Sequence, residues 1–486
     1  NGGAGVIFDR TVLNALNFVQ DQSSYLFQNT VDNTNFGDLQ GDPRAGTNFS
    51  FPGNTAPTIT HPYTPFVSGG APNGLGNLAF NAVIDPHLKD PYSIVLNAGV
   101  QQQLPGDMVL KISYVGRMGR RLLAQADASQ LIDFPDTGSG QLMSTAFGNL
   151  TQALRAGQAS VAPQPWFEDQ VGPGFTQFIY AYPQVQSYIA NGDFADFIQF
   201  ISSVLDYNVG MAAQFSENTF YTNKGSSSYN GMLVTLNKNL SHGLRFDVNY
   251  TWSHSIDNTS LIANKIASSS GIGFICDATR PRECRGNSDF DQTHAINGTF
   301  LYELPVGRGR AFGSTTPRWL DEAIGGWAIS GIPQWRSGVA FTAFSNAFVA
   351  GFANNAPGIF NGNRGAVAPH VHKLPDGSVN LFADSTAADN AFSGPVGFNI
   401  GSRNNLRGPS SLLFDAGLAK TFPIVEERVN LKFRADAFNV LNHPVFVAPS
   451  SSATDITESS GIAFGQISSQ VKDNPRVLQL AVRIEF

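Results

Sequence analysis

The residues best suited to chemistry are charges spaced two apart. Arg245 and Asp247 form one set, Lys432, Arg434 and Asp436 a second, and Arg483 and Glu485 a third. On an extended chain such residues share one face. They can line a water-filled passage, contact a domain inside it, or pair across strands as a stabilising ladder. The ladder is the expected role for most of them. His370 and His372 would also share a face and could bind a metal, but the sequence around them offers no evident carboxylate or cysteine partner, so a solvated loop is expected. Asp289 and Asp291 could ligate calcium, although a structural role at a strand entry is favoured. Cys276 and Cys284 are close in sequence: a disulfide fits an oxidising compartment, with two free thiols or half of a metal site as alternatives. No G-x-S-x-G elbow, H-E-x-x-H helix or phosphate-cradling glycine loop occurs, so neither catalysis nor a cofactor is expected.

The elements that must carry these charges are strands. After Gly243, Leu244, Phe246, Val248, Tyr250 and Trp252 alternate with Arg245, Asp247, Asn249, Thr251 and Ser253. A helix would scatter these residues, whereas a strand separates an apolar from a polar face. Val429, Leu431, Phe433, Ala435 and Ala437 oppose Asn430, Lys432, Arg434 and Asp436. Leu478, Leu480, Val482, Ile484 and Phe486 oppose Gln479, Arg483 and Glu485. Weaker alternation covers 5–12, 92–104, 108–118, 228–240, 292–304, 326–337 and 411–422, giving about ten strands.

Connections differ in length at the two ends. Short polar turns lie at 105–107, 241–243 and 423–427. Long connections lie at 13–91, 119–227, 258–291, 338–410 and 443–475. Transmembrane barrels show this asymmetry, with short periplasmic turns and long extracellular loops. A soluble β-sandwich explains the alternation equally well but leaves the one-sided loop lengths without a reason. The connection 305–325 is the exception, long for its side, and 317–322 within it suits a helical turn. Within 119–227, segments 141–156 and 193–209 suit helices. Its aromatics Phe167, Phe175, Phe178, Tyr180 and Tyr182 suggest an adhesive surface.

Composition agrees with a membrane barrel. Charged residues make up 14% of the 486 residues, against about 25% in soluble domains, and 49 glycines exceed the usual share of roughly 7%. No apolar run reaches the length of a membrane helix. The net charge of −7 argues against nucleic acid as a partner. If 242–257 runs outward, apolar-face aromatics should form two interfacial girdles. Tyr92, Tyr114, Trp252, Trp335 and Phe414 would lie at the outer interface, and Tyr302, Trp327, Phe422 and Phe486 at the inner one.

A series of short motifs adds a resemblance. Ser228-Tyr229-Asn230-Gly231-Met232 leads to Leu236-Asn237-Lys238, His242-Gly243-Leu244 and the run Tyr250 to Asp257. Then follow Asp289-Phe290-Asp291 with His294, Tyr302-Glu303-Leu304-Pro305, Gly307-Arg308-Gly309 and Gly325-Gly326-Trp327. Ser337-Gly338, Asn405-Leu406-Arg407-Gly408-Pro409, Phe433-Arg434-Ala435, Phe438-Asn439, Asn442-His443-Pro444 and a terminal Phe486 complete the series. In this order they resemble the Oar-like group of TonB-dependent outer-membrane receptors, which carry a carboxypeptidase-regulatory-like N-terminal domain. The resemblance implies an all-β, antiparallel transmembrane barrel portion, belonging to a larger 22-stranded barrel with a plug. Residues 1–486 would form its C-terminal part in the bacterial outer membrane, with the export signal removed and the plug, TonB box and N-terminal strands supplied elsewhere. Implied partners are outer-membrane lipid, that N-terminal barrel and plug segment, the TonB complex acting through it, and the barrel assembly machinery reading the C-terminal strand. Uptake of an extracellular substrate is the implied function. The rival readings are a structural or adhesive barrel whose loops bind matrix or protein partners, and an outer-membrane enzyme, for which no constellation is present.

Overall fold

The computed structural model describes residues 1–8, 81–127, 130–207, 209, 218–260, 275–351, 355–425, 429–457, 461–467 and 475–486. Residues 9–12 of the expected first strand, and 13–80 of the first long connection, lie outside the described residues.

Among the described residues one sheet of twelve strands holds ten that run antiparallel in chain order, joined by two short strands, Asn81–Ile84, paired in parallel, and Gly286–Asn287. The ten are β1 (Gly2–Phe8), β2 (Tyr92–Leu104), β3 (Met108–Asp127), β4 (Asn218–Ser241), β5 (Leu244–Asp257), β6 (His294–Glu303), β7 (Trp327–Arg336), β8 (Ser411–Val425), β9 (Val429–Phe438) and β10 (Val477–Glu485). Each pairs with its sequence neighbour, and among the described residues no ladder joins β1 to β10. Two-residue alternation and tight turns dictate this meander. Asp107, His242 and the glycines before and after them, Gly106 and Gly243, take positive φ at the hairpin ends, in a three-residue loop between Leu104 and Met108 and a two-residue turn between Ser241 and Leu244.

Register aligns the faces into rows. Gln101, Lys111, Thr235, Asn249, Asn297 and Gln334 face one another successively across β2 to β7. The adjacent row, on the opposite face, is Val100, Ile112, Val234, Tyr250, Ile296, Trp335 and Leu412. One face is therefore polar and the other apolar over the same stretch of wall.

The apolar face is not a protein core. Val248 is 38% exposed, Trp252 53%, Leu480 73% and Val482 66%, a distribution that a soluble sandwich would not leave open. The buried clusters instead lie in the long connections. The first is built by α1 (Met143–Arg155), α2 (Pro165–Gln170), α3 (Phe175–Ala181), α4 (Gln186–Asn191) and α5 (Phe194–Ser203). Phe147 stacks on Phe194 at 4.8 Å, and Trp166 meets Phe167 edge to face at 5.3 Å. The second cluster gathers Leu381, Phe382, Phe392, Phe464 and Ile467 from connections 338–410 and 443–475. Both therefore form caps at the long-loop end.

Three expectations need correction. The connection 119–227 is shorter than its sequence suggests, because β3 extends to Asp127 and β4 begins at Asn218. Arg121 at φ 54° and register shifts around Leu122 mark irregularities that hide the alternation there. Of the aromatics expected to form an adhesive surface, Phe167, Phe175 and Tyr180 are buried in the helical cap, while Phe178 remains 46% exposed. Finally, the helix of the 305–325 connection, α6, spans Arg318–Ile324, beginning and ending slightly later than expected.

Candidate functional site

The alternating charges occupy the polar face in two separate groups. Lys432 and Arg483 are register partners, and the Lys432 ammonium lies 2.6 Å from Glu485, whose other oxygen is 3.6 Å from Arg483. Arg434 meets Asp436 at 2.8 Å on the same strand. This is a ladder on β9 and β10. Arg245 and Asp247 stand apart on β5, with β6, β7 and β8 intervening. Asp247 accepts a hydrogen bond from Asn249, which in turn accepts one from Thr235 at 2.8 Å. The two groups do not converge on a common centre. Gly417 leaves room between them: a Cβ there would stand 2.7 Å from both Asp436 and Ser330.

On the apolar face, Tyr114, Met232, Trp252 and His294 form one row toward the long-loop end. His294 stacks between Tyr250 and Trp335, with centroids at 6.1 and 6.4 Å, and its Nδ1 lies 2.9 Å from the Tyr250 hydroxyl. Trp335 sits one row farther in, Phe414 faces Pro333 below it, and Tyr92 lies above, beside Phe8. Toward the short-turn end, Tyr302 faces Leu244 and Ile329, Trp327 faces Lys420, and Phe422 faces Leu431. Phe486 follows the last ladder pair and is fully exposed. The ladder from Leu244 to Trp252 has nine pairs, matching the roughly 9–11 residues of a membrane-crossing strand.

The densest polar constellation joins several of the short motifs. Asp257 ends β5, Asp289 and Asp291 precede β6, and Arg407 pairs with Ala340 just beyond β7. Arg403 reaches Asp257 and also lies 3.0 Å from Asp289, with its side chain 11% exposed. Arg407 bonds Asp291 at 2.6 Å. Asn404 donates to the Asp289 carboxylate and to the Asn287 carbonyl, and Asn287 donates back to the Asn404 carbonyl. The Ser255 backbone N–H also donates to Asp291. A Cβ on Gly338 would lie 1.8 Å from the Gly408 carbonyl, so glycine allows these two motifs to touch. The arrangement clasps connection 338–410 to the top of the wall. Asp289 and Asp291 thus meet guanidinium groups in this clasp. Sequence reasoning quoted Asp257 and Arg407 within motifs and missed Arg403, whose partners lie more than a hundred residues away.

Cys276 and Cys284 are joined by a disulfide, with a Cα separation of 5.6 Å. The loop they close is seated against the helical cap, where Arg280 lies 4.4 Å over the Phe398 ring and bonds Asp277. His372 pairs with Asn380 in a short ladder and His370 is exposed. Among the described residues, no group of three or more His, Cys, Asp or Glu side chains is placed to hold a metal ion.

Comparison with known proteins gives one match that covers nearly the whole chain. A family model described as an outer membrane beta barrel domain matches residues 1–479. No curated protein sequence matches. Among solved structures, the outer membrane transporter YddB from Escherichia coli aligns over 84% of this chain and 34% of its own, at 10% identity and a TM-score of 0.33. The FrpB iron transporter from Neisseria meningitidis aligns over 84% and 33%, at 9% identity and a TM-score of 0.32. The ferric-catecholate import receptor Fiu from Escherichia coli aligns over 86% and 29%, at 8% identity and a TM-score of 0.30. The chain spans about a third of the length of these proteins. With an alternating wall, apolar on one side and polar on the other, and a family match over 1–479, the chain belongs to the outer membrane beta barrel domain family of the bacterial outer membrane.

Proposed function

We propose that this chain is wall and outer cap of an uptake receptor of the TonB-dependent type, admitting an extracellular substrate through the outer membrane. The observation that carries the reading is the polar row Gln101, Lys111, Thr235, Asn249, Asn297 and Gln334, directly beside an apolar row. Hydrogen-bonding side chains across six strands suit a hydrated interior, whether occupied by water, substrate or a plug. The ordered resemblance of the motifs to TonB-dependent receptors adds energised transport to that wall. In this reading Arg245, Asp247, Lys432, Arg434, Asp436, Arg483 and Glu485 face the interior. A plug and further strands complete the barrel, and Phe486 ends the strand read by the assembly machinery. The aromatic girdles contact lipid.

The test is uptake by cells carrying the intact protein in the outer membrane, with and without a functional TonB complex. Labelled siderophores, glycans and peptides serve as probes. Accumulation of one class that requires TonB supports the proposal. Binding of a probe at the surface with no accumulation in either strain overturns it.

A second reading is favoured by one feature. The caps have hydrophobic cores of their own, as a rigid adhesive head would. Capture of matrix or protein partners by intact cells, abolished by deletion of a cap and indifferent to TonB, would establish that role instead.

A further inference from the structure

The connection 305–325 joins β6 to β7 at the short-turn end, and its helix α6 is amphipathic. Trp319, Leu320, Ala323 and Ile324 fall on one arc, and Arg318, Asp321 and Glu322 on the other. In a soluble protein the apolar arc would be covered. Here Trp319 is 72% exposed, Ile324 37%, and Phe312 in the same connection 66%.

What holds the helix identifies the medium around it. The Trp327 indole N–H donates to the Ala323 carbonyl at 2.9 Å. The Lys420 ammonium donates to the carbonyls of Glu322 and Ala323, the latter at 3.0 Å. Trp327 and Lys420 face each other across β7 and β8, on the apolar side of the wall. That is the side with Ile329, Leu418 and Phe433. The helix is therefore tied to the outer surface of the barrel, and not folded beneath its interior. Lys420 is 4% exposed, its ammonium lying 5.2 Å over Trp327 and 4.7 Å over Phe422. A cation at that position has to reach the nearest polar groups at the membrane boundary. The α6 carbonyls supply them. Lys238, also on the apolar face, does the same at the neighbouring turn, donating to the Gly106 carbonyl and the Ser241 hydroxyl.

We propose that residues 305–325 form an interfacial foot lying in the phospholipid headgroup layer at the short-turn end, with Trp319, Ile324 and Phe312 set among the upper acyl carbons. The occupant is the surrounding phospholipid, because the foot continues the lipid-facing surface through Trp327 and Lys420. The foot has an amphipathic helix and aromatic anchors, the features of monotopic membrane segments. The proposal rests on the reading of this wall as membrane-spanning.

The experiment uses the intact protein reconstituted in phosphatidylcholine vesicles, wild type and Trp319→Phe. The difference between their emission spectra reports Trp319. With shallow-brominated phosphatidylcholine that difference emission loses about half or more of its intensity, as expected for a ring roughly 5–10 Å into the interface. Aqueous acrylamide leaves it largely unchanged. Quenching by acrylamide and not by bromine would place the foot in water and overturn the proposal. Insensitivity to both would place Trp319 against protein and overturn it equally. The emission remaining in Trp319→Phe, which contains Trp252 and Trp327, serves as the control. If brominated lipid leaves that emission unchanged, the membrane-spanning reading itself fails.

Discussion

Arg403 Nη2 donates to both the carboxylate and the backbone carbonyl of Asp257, 146 residues earlier in the chain. Its Nη1 holds Asp289 and the Ser260 hydroxyl. One guanidinium thus ties the end of β5, the approach to β6 and connection 338–410. Arg403→Ala would leave buried carboxylates without their cation, and breaking a buried pair in this way costs about 3–5 kcal/mol. The loss should be local. Hydrogen exchange is expected to accelerate at 286–291 and 403–408, with the wall unchanged. Arg403→Lys should recover only part of the protection, because an ammonium cannot reproduce the fork. Unaltered exchange in Arg403→Ala would show that the clasp contributes nothing to order.

The opposed faces predict opposite responses to the same substitution. Val248 and Asn249 are neighbours on β5, near the middle of its ladder. Val248→Arg on the lipid side should destabilise the folded barrel by roughly 2–4 kcal/mol, the cost of a cation near the bilayer midplane. Asn249→Arg on the polar side should cost far less. Urea titration of protein folded into vesicles, followed by heat-dependent gel mobility, measures both. Equal effects would contradict the assignment of faces.

Asp193 gives the helical cap a pH dependence. Its carboxylate receives the backbone N–H groups of Asp196 and Phe348, capping α5. Burial, followed by repulsion from Asp196, raises its pKa to about 8. A carboxyl group raised above its unfolded value favours the folded state while protonated. That contribution is complete below about pH 4 and is lost as pH climbs toward 8. Asp193→Asn retains an oxygen acceptor and removes the charge. It should therefore make the cap more resistant to proteolysis at pH 7–8, with little difference from wild type near pH 4. Digestion of intact vesicles at the two pH values is the measurement.

The Cys276–Cys284 disulfide closes a small loop, and chain-entropy arguments give it about 2–3 kcal/mol. The double change Cys276→Ser with Cys284→Ser should loosen residues 275–285 and the contact of Arg280 with Phe398. β5 and β6 should keep their protection. Hydrogen exchange resolves the two regions, and collapse of the whole wall would refute a local role.

The wall was legible because a membrane-crossing strand must write its two solvents into alternate residues, as Leu244 to Ser253 do. The outer reaches of β3 and β4 were not. Beyond the lipid band both faces lose that constraint, and the irregularity at Arg121 and Leu122 shifts the phase. Helices α2, α3 and α4 have six, seven and six residues, too few for a helical period to emerge. The clasp is the opposite case. Asp289, Asp291 and Arg407 were visible as fragments of motifs, but no local pattern links a guanidinium to a carboxylate 146 residues away. Arg155 escaped notice for the same reason, although it bonds the carbonyls of Ala190, Gly394 and Pro395 and so joins the two caps.

The caps share a seam at Phe398 and Arg155, while the ladders below are complete without them. Headpiece and membrane scaffold are consequently separable in evolution. The headpiece between β3 and β4 can be lengthened or exchanged so long as that seam is kept. The threading of the strands would not have to be reinvented.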